Sequence, residues 1–158
     1  MAMGQEPPLP MVNRPTAFAQ PVIQAAPGTT MVNRPGQART RRSRDGHFYV
    51  TARLNSTTAS MMVDTGASGI FLSHDDATRA GLNPESLDFS VRTSTANGQG
   101  LAARARLSTL IVGGITRHDV PVLVSQPGAA SFSLLGQTFL SQLSTFQVTG
   151  GEMVMVAD

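Results

Sequence analysis

Asp64-Thr65-Gly66 is the stretch whose residue types and spacing point most directly to chemistry, and that chemistry is general acid-base work by a carboxylate. The triplet follows the apolar run Met61-Met62-Val63 and leads into Ala67-Ser68. Asp supplies the carboxylate, Thr a hydroxyl that can reach backbone, and Gly a backbone that turns sharply with no side chain in the way. A carboxylate beside an apolar strand is costly to ionise alone, and a second one next to it splits the titration into two coupled steps. Such a pair, sharing one proton, polarises a water, one member acting as base and the other as acid on a peptide carbonyl. The triplet occurs once, so the chain carries half of that apparatus. By itself, Asp-Thr-Gly after a strand is most often only a turn.

A second element sharpens the reading. In Ser133-Leu134-Leu135-Gly136-Gln137-Thr138-Phe139-Leu140-Ser141-Gln142-Leu143 an apolar pair runs into Gly and then into a short helical pattern. Its plain reading is a strand-to-helix junction. The two elements together, in this order and about seventy residues apart, are far more specific than either one.

On these residues, 47–156 resemble a retropepsin-like aspartic protease of the bacterial single-lobe kind, similar to retroviral proteases. The resemblance implies a mainly β lobe with a flap hairpin and one or two short helices, paired into a two-fold homodimer. It implies that Asp64 is the catalytic acid, that Thr65 braces the two loops of the dimer, and that Gly66 meets substrate backbone. Leu134-Leu135-Gly136 corresponds to the strand under that loop. Substrate contacts are expected from Ala67, Ser68, Gly69 and Ile70 in the loop, and from Ala96, Asn97, Gly98 and Leu101 in the flap. Leu134, with Ile70 and Leu101, is expected to line apolar pockets that select bulky apolar residues at the cut. No metal and no cofactor enters this scheme. Retroviral members carry Asp where Ser68 stands and Arg where Gln137 stands, so a neutral pair is expected here in place of a charged one.

Length agrees with the half-apparatus reading. Pepsin-like enzymes fuse two lobes, whereas 158 residues hold one domain of about 110 residues plus a linker-like segment. Two identical lobes about a two-fold axis would bring Asp64 against its mate.

Residues 1–45 differ in kind from 46–158. They hold most of the prolines and no sustained apolar period, which predicts a linker or disordered segment before the protease-like domain. Met11-Val12-Asn13-Arg14-Pro15 recurs as Met31-Val32-Asn33-Arg34-Pro35, a repeat too short for a solenoid, and reads as duplicated linker or as a docking or processing peptide. The net charge of +2 comes from arginine alone, and Arg39, Arg41, Arg42 and Arg44 crowd one stretch. No aromatic residues interleave with them, so a solvated or juxtamembrane linker is favoured over nucleic-acid binding. No window is apolar enough to cross a bilayer, and no signal peptide precedes the linker, so the chain reads as soluble. The resemblance nonetheless implies an anchor ahead of Met1, and with it a periplasmic or membrane-anchored full-length protein. The chain has no cysteine, which excludes disulfides and thiol chemistry but fits cytoplasm and periplasm equally.

The elements that must position Asp64 follow from pattern. Residues 48–54 and 60–63 form a hairpin about the turn 55–58 that delivers Asp64. Ser73 with Asp76 three residues on opens a helix over 74–80 that Gly81 closes. Asn97-Gly98 turns strand 89–96 into strand 101–112, and Gly113-Gly114 leads into 115–124. Gly150-Gly151 joins 145–149 to 152–156, a hairpin that the resemblance places in the dimer sheet.

Other chemistries find little footing. His47, His74 and His118 lack ligand spacing, no Ser/His/Asp context is present, and Gly113-Gly114 lacks the Lys of a phosphate loop. Two readings stand: an endopeptidase, or a module that binds extended peptides in the same cleft by strand addition without turnover.

Overall fold

The computed structural model describes residues 34–95 and 98–158. In chain order its elements are β1 (Gln37–Arg41), β2 (Tyr49–Leu54), β3 (Thr57–Val63), β4 (Ile70–Leu72), α1 (His74–Arg79), a 3-10 turn (Pro84–Ser86), β5 (Val91–Thr95), β6 (Gly98–Val112), β7 (Ile115–Ser125), β8 (Ser133–Leu135), α2 (Gln137–Leu140), β9 (Thr145–Thr149) and β10 (Glu152–Val156). One sheet runs β2-β3-β8-β4-β7-β6-β5, and β2 also pairs with the far end of β6, so the sheet curls back on itself. A second sheet runs β9-β10-β1. The lobe is mainly β with two short helices, as the resemblance implied.

Period-two alternation builds the core. In β2 the residues Val50, Ala52 and Leu54 turn inward, and in β3 Ala59, Met61 and Val63 do the same. They meet Leu72, Leu107, Leu110, Val112 and Leu135, all fully buried. The tight turn between β2 and β3 places Asn55 in the left-handed region, φ 56°, which Asn tolerates better than most residues. Its amide then serves as a junction: Nδ2 donates to the carbonyl of Ala80 at 2.9 Å, and Oδ1 accepts from the backbone N–H of Thr109 at 3.1 Å.

Helix α1 is capped as its sequence predicts. Ser73 Oγ accepts from the N–H of Asp76 at 3.1 Å, and Gly81, at φ 81°, lets the N–H groups of Gly81 and Leu82 return to Thr78 and Ala77. A buried polar network not visible in the local pattern joins this helix to β8. Ser133 Oγ donates to Asp76 Oδ2 at 2.6 Å and accepts from the N–H of Ser73 at 3.0 Å. Arg79 pairs with the other oxygen of Asp76 and donates to the carbonyl of Thr58 at 2.8 Å. The helix, β8 and the β2–β3 hairpin are thus fastened at one carboxylate.

The expected boundary at residue 46 falls too late. Gln37–Arg41 is a strand, in register with β10 from Gln37 opposite Val156 to Arg41 opposite Glu152. Ala38 and Thr40 are fully buried, and Thr40 Oγ1 donates to the carbonyl of Tyr49 at 2.6 Å. The chain enters this strand past the Gly113-Gly114 turn. A Cβ on Gly113 would lie 2.6 Å from that of Ala38, and one on Gly114 would lie 2.2 Å from the carbonyl oxygen of Arg34. The basic cluster is correspondingly not all solvated linker: Arg39 pairs with Glu152 at 3.1 Å, and the Arg42 guanidinium lies 4.7 Å from the Phe48 ring centroid. Tyr49 donates to the exposed Asp45 carboxylate at 2.6 Å, which holds that carboxyl below its ordinary range. The first Met-Val-Asn-Arg-Pro copy lies outside the described residues, as does the second up to Asn33.

Among the described residues no helix is long and apolar enough to cross a membrane.

Ser133→Ala should lower the unfolding free energy by about 1–3 kcal/mol, because it leaves the Asp76 carboxylate and the Ser73 N–H short of a buried partner. Urea denaturation against Ser131→Ala, an exposed control that should change little, measures the difference.

Candidate active site

The Asp64 loop is shaped by a strand that does not belong to it. β3 and β4 flank the loop in sequence but are not neighbours in the sheet, because β8 inserts between them, parallel to β3 and antiparallel to β4. Residues 64–69 must therefore cross the end of β8. Four hydrogen bonds stitch the crossing. The N–H of Asp64 donates to the Leu135 carbonyl at 3.0 Å, and the N–H of Gln137 donates to the Ala67 carbonyl at 2.9 Å. The Gln137 side-chain amide donates to the Thr65 carbonyl at 2.9 Å, and Thr138 Oγ1 donates to the Ser68 carbonyl at 3.5 Å.

Gly136 is required at the crossing for want of space, since its φ of −112° suits any residue. A Cβ there would lie 2.3 Å from the Gly69 carbonyl oxygen, 2.5 Å from that of Ala67 and 2.9 Å from the Ala67 Cβ. This explains why the apolar pair at Leu134-Leu135 must be followed by glycine.

The carboxylate itself is half-buried, and Oδ1 accepts from the Gly66 N–H at 2.9 Å. Oδ2 has no hydrogen-bond partner among the described residues. Thr65, Gly66 and Ser68 are exposed on the same turn, and the Thr65 hydroxyl has no partner there either. The loop therefore presents one fixed carboxylate oxygen, one open one and a free hydroxyl. The neutral pair expected between Ser68 and Gln137 does not form, because Gln137 spends its amide on the Thr65 carbonyl.

The remaining candidate residues are spread around this loop. Ile70 is buried, 1% exposed, and packs in the core. Leu134 is half-buried in a register row with Met62 and Phe71. Leu101 stands on β6, opposite Arg92, and is 39% exposed. In the flap hairpin Gly98, at φ 108°, pairs with Thr95 and opens β6 three residues ahead of the expected start at Leu101. Ala96 and Asn97 lie outside the described residues. A cavity of about 570 Å³ lies beside the loop between Ser68, Gly69 and Thr138 on one side and β5, β6 and β7 on the other. Its wall includes Arg104 and Arg106, which are not among the expected site residues; two arginines two apart on a strand are the sequence signal for them. Among the described residues no three His, Asp or Glu side chains gather as a metal set.

Gly136→Ala should cost about 3 kcal/mol or more and loosen the loop, since the two nearest of the three clashing atoms are backbone carbonyl oxygens. Thermal denaturation, with hydrogen exchange at the Asp64 and Gln137 amides, reads both effects.

The comparisons with known proteins agree with this arrangement. The family model described as "gag-polyprotein putative aspartyl protease" matches residues 50–142. An uncharacterized protein encoded 5′ of cobV in Sinorhizobium is 42% identical over 109 residues, covering 69% of this chain and 47% of that protein. The uncharacterized protein RP867 of Rickettsia prowazekii is 36% identical over 107 residues, covering 68% of this chain and 46% of that protein. The chain thus spans about half the length of the curated relatives it matches. A retropepsin-like aspartic protease from Rickettsia conorii superposes with a TM-score of 0.69 at 31% identity, over 77% of this chain and 91% of that one. EIAV protease, solved in complex with the inhibitor HBY-793, shares the fold at a TM-score of 0.55 and 17% identity, over 67% of this chain and 96% of its own. With its Asp-Thr-Gly loop seated on an inserted Leu-Leu-Gly strand, this chain belongs to the retropepsin-like aspartic protease family.

Proposed function

We propose that the chain is an aspartic endopeptidase that works as a two-fold homodimer. The observation that carries this reading is the half-buried Asp64 carboxylate, fixed through Oδ1 and open at Oδ2, on a loop pinned from beneath by Leu135 and Gln137. Two such loops facing each other hold two carboxylates within range of one proton and one water. The ionised carboxylate takes a proton from the water, which attacks the scissile carbonyl. The protonated carboxyl supports the developing oxyanion. The carbon–nitrogen bond then breaks as a proton passes to the leaving nitrogen, and the amine departs neutral. Gly66 and Gly98 at the flap lie along the substrate backbone in this scheme, and the free Thr65 hydroxyl reaches the partner loop.

Assembly is proposed to use the β9-β10-β1 sheet. β10 is paired on both sides, so the hairpin offers only its β9 edge, where Gln147, Val148 and Thr149 are exposed. Val148, 43% exposed, is the apolar residue of that edge. A lobe inactive alone is switched by mass action, so a membrane tether on the longer protein would raise its local concentration and its activity together.

The competing reading is a peptide-binding module using the same cleft. Wild type and Asp64→Asn are incubated with a mixed peptide library from mildly acidic to neutral pH, and products are read by mass spectrometry with molecular mass measured in the same buffer. Endopeptidase action predicts cuts from the wild-type dimer and a loss of about a thousand-fold or more in Asp64→Asn. Peptide retention without cuts by a verified dimer would favour the module. Val148→Lys, which places a charge on the proposed edge, should shift light-scattering mass from dimer toward monomer and lower activity, while far-UV circular dichroism stays unchanged.

A further inference from the structure

The cavity beside the Asp64 loop has a charge that the loop lacks. Its near wall begins at Ser68 and Gly69, four and five residues after Asp64, and Asp64 itself does not line it. Its far wall is formed by Val91 of β5, residues 104–106 of β6 and residues 121–123 of β7. Arg104 stands opposite Leu123 and Arg106 opposite Pro121, so the two arginines share one face of β6 with apolar residues beside them on β7. Among the described residues no acidic side chain lines the cavity. Asp119 bonds Arg106 Nε at 2.9 Å from outside it, whereas Arg104 is exposed and has no acidic partner among the described residues.

Apolar lining and a guanidinium without an acidic partner together suit one kind of occupant, a side chain with methylenes ending in a carboxylate. An Arg fork binds a carboxylate through two parallel N–H···O bonds, and its cost of desolvation is lower than that of an ammonium. The cavity is continuous with the loop that would hold the peptide, so the occupant is part of the same extended chain. Resting on the endopeptidase reading, we propose that this cavity is a substrate subsite for an acidic side chain, Asp or Glu, placed a short way along the peptide from the scissile bond. Arg104 makes the contact, and Arg106, partly neutralised by Asp119, supports it. Substrates then combine apolar residues at the cut with a carboxylate at one flanking position, and Lys or Arg at that position is disfavoured by like charge.

Peptides built on a sequence cleaved by the wild type are compared in pairs, Glu against Gln, at each position flanking the cut. One position should show kcat/KM about three- to ten-fold higher with Glu, and the advantage should shrink in about 0.5 M salt. Arg104→Gln should abolish it, and Arg104→Glu should reverse it in favour of Lys. Arg104 is exposed, so circular dichroism should confirm an unchanged fold. Equal cleavage of Glu and Gln peptides at every position, or a Glu preference that survives Arg104→Glu, overturns the subsite and leaves the endopeptidase reading standing. Where no peptide is cut, the same peptide pairs, built on a retained library sequence, are titrated against the Asp64→Asn protein by fluorescence anisotropy. A Glu preference in affinity that Arg104→Glu reverses upholds the subsite while the proteolytic reading falls, and equal affinities overturn it.

Discussion

The insertion of Ser133–Leu135 between β3 and β4 is the constraint on which the rest of the lobe depends. Strands joined by a six-residue connection would ordinarily pair with each other, and their loop would then be a free turn. Here a strand about seventy residues away takes the place between them, and the loop must cross its end. The crossing supplies the Asp64 backbone with a fixed partner, closes the far side of the loop through Ala67 and Gln137, and leaves room only for Gly136 beneath. A long-range packing decision thus becomes a local positioning device. A carboxylate meant to share a proton with another needs such a device, because proton sharing falls away within a fraction of an ångström of misplacement.

The same strand carries the second anchor. Ser133, at the start of β8, joins the Asp76 carboxylate and the Ser73 cap, so the insertion that fixes the loop at one end also fixes α1 at the other. Arg79 then extends the network to the β2–β3 hairpin at Thr58. β8, α1 and the β2–β3 hairpin are thereby joined through the buried Asp76 carboxylate. Such a network favours a single arrangement more than it adds net stability, since each member is costly when left unpaired.

What could be read beforehand follows the same division between local and long-range. The Ser73–Asp76 cap, Gly81 and the 145–149 and 152–156 strands appear where pattern placed them, because capping and period-two alternation are written in adjacent residues. β1 was hidden because its inward residues, Ala38 and Thr40, are small or polar and alternate with Gln37, Arg39 and Arg41. That segment reads as a basic linker until β10 and the Gly113-Gly114 turn are placed against it. The Ser133–Asp76 bond spans 57 residues and joins two types common on surfaces, so no window of sequence announces it. For the loop, Asp64-Thr65-Gly66 and Leu135-Gly136 were each legible. The role of Gln137 is not legible in the sequence, because its target is a backbone carbonyl and backbone partners carry no sequence signature.

The distribution of charge links these points to selectivity. Once Gln137 is committed to the Thr65 carbonyl and Ser68 is neutral, the loop contributes no ion pair at the edge of the cleft. The nearest formal charges in the cavity wall are Arg104 and Arg106, on a strand that belongs to the flap rather than to the loop. β6 is 15 residues long and pairs with β5, β7 and β2 in succession, so those arginines ride on the most extensively paired strand of the lobe. The groups proposed to do the chemistry and those proposed to select the substrate therefore sit on separately anchored elements. Substitutions on β6 can retune the selecting charge without touching the hydrogen bonds that fix Asp64. A retroviral-type charged pair within the loop would not allow that separation, because the residues that set its charge would also set its shape.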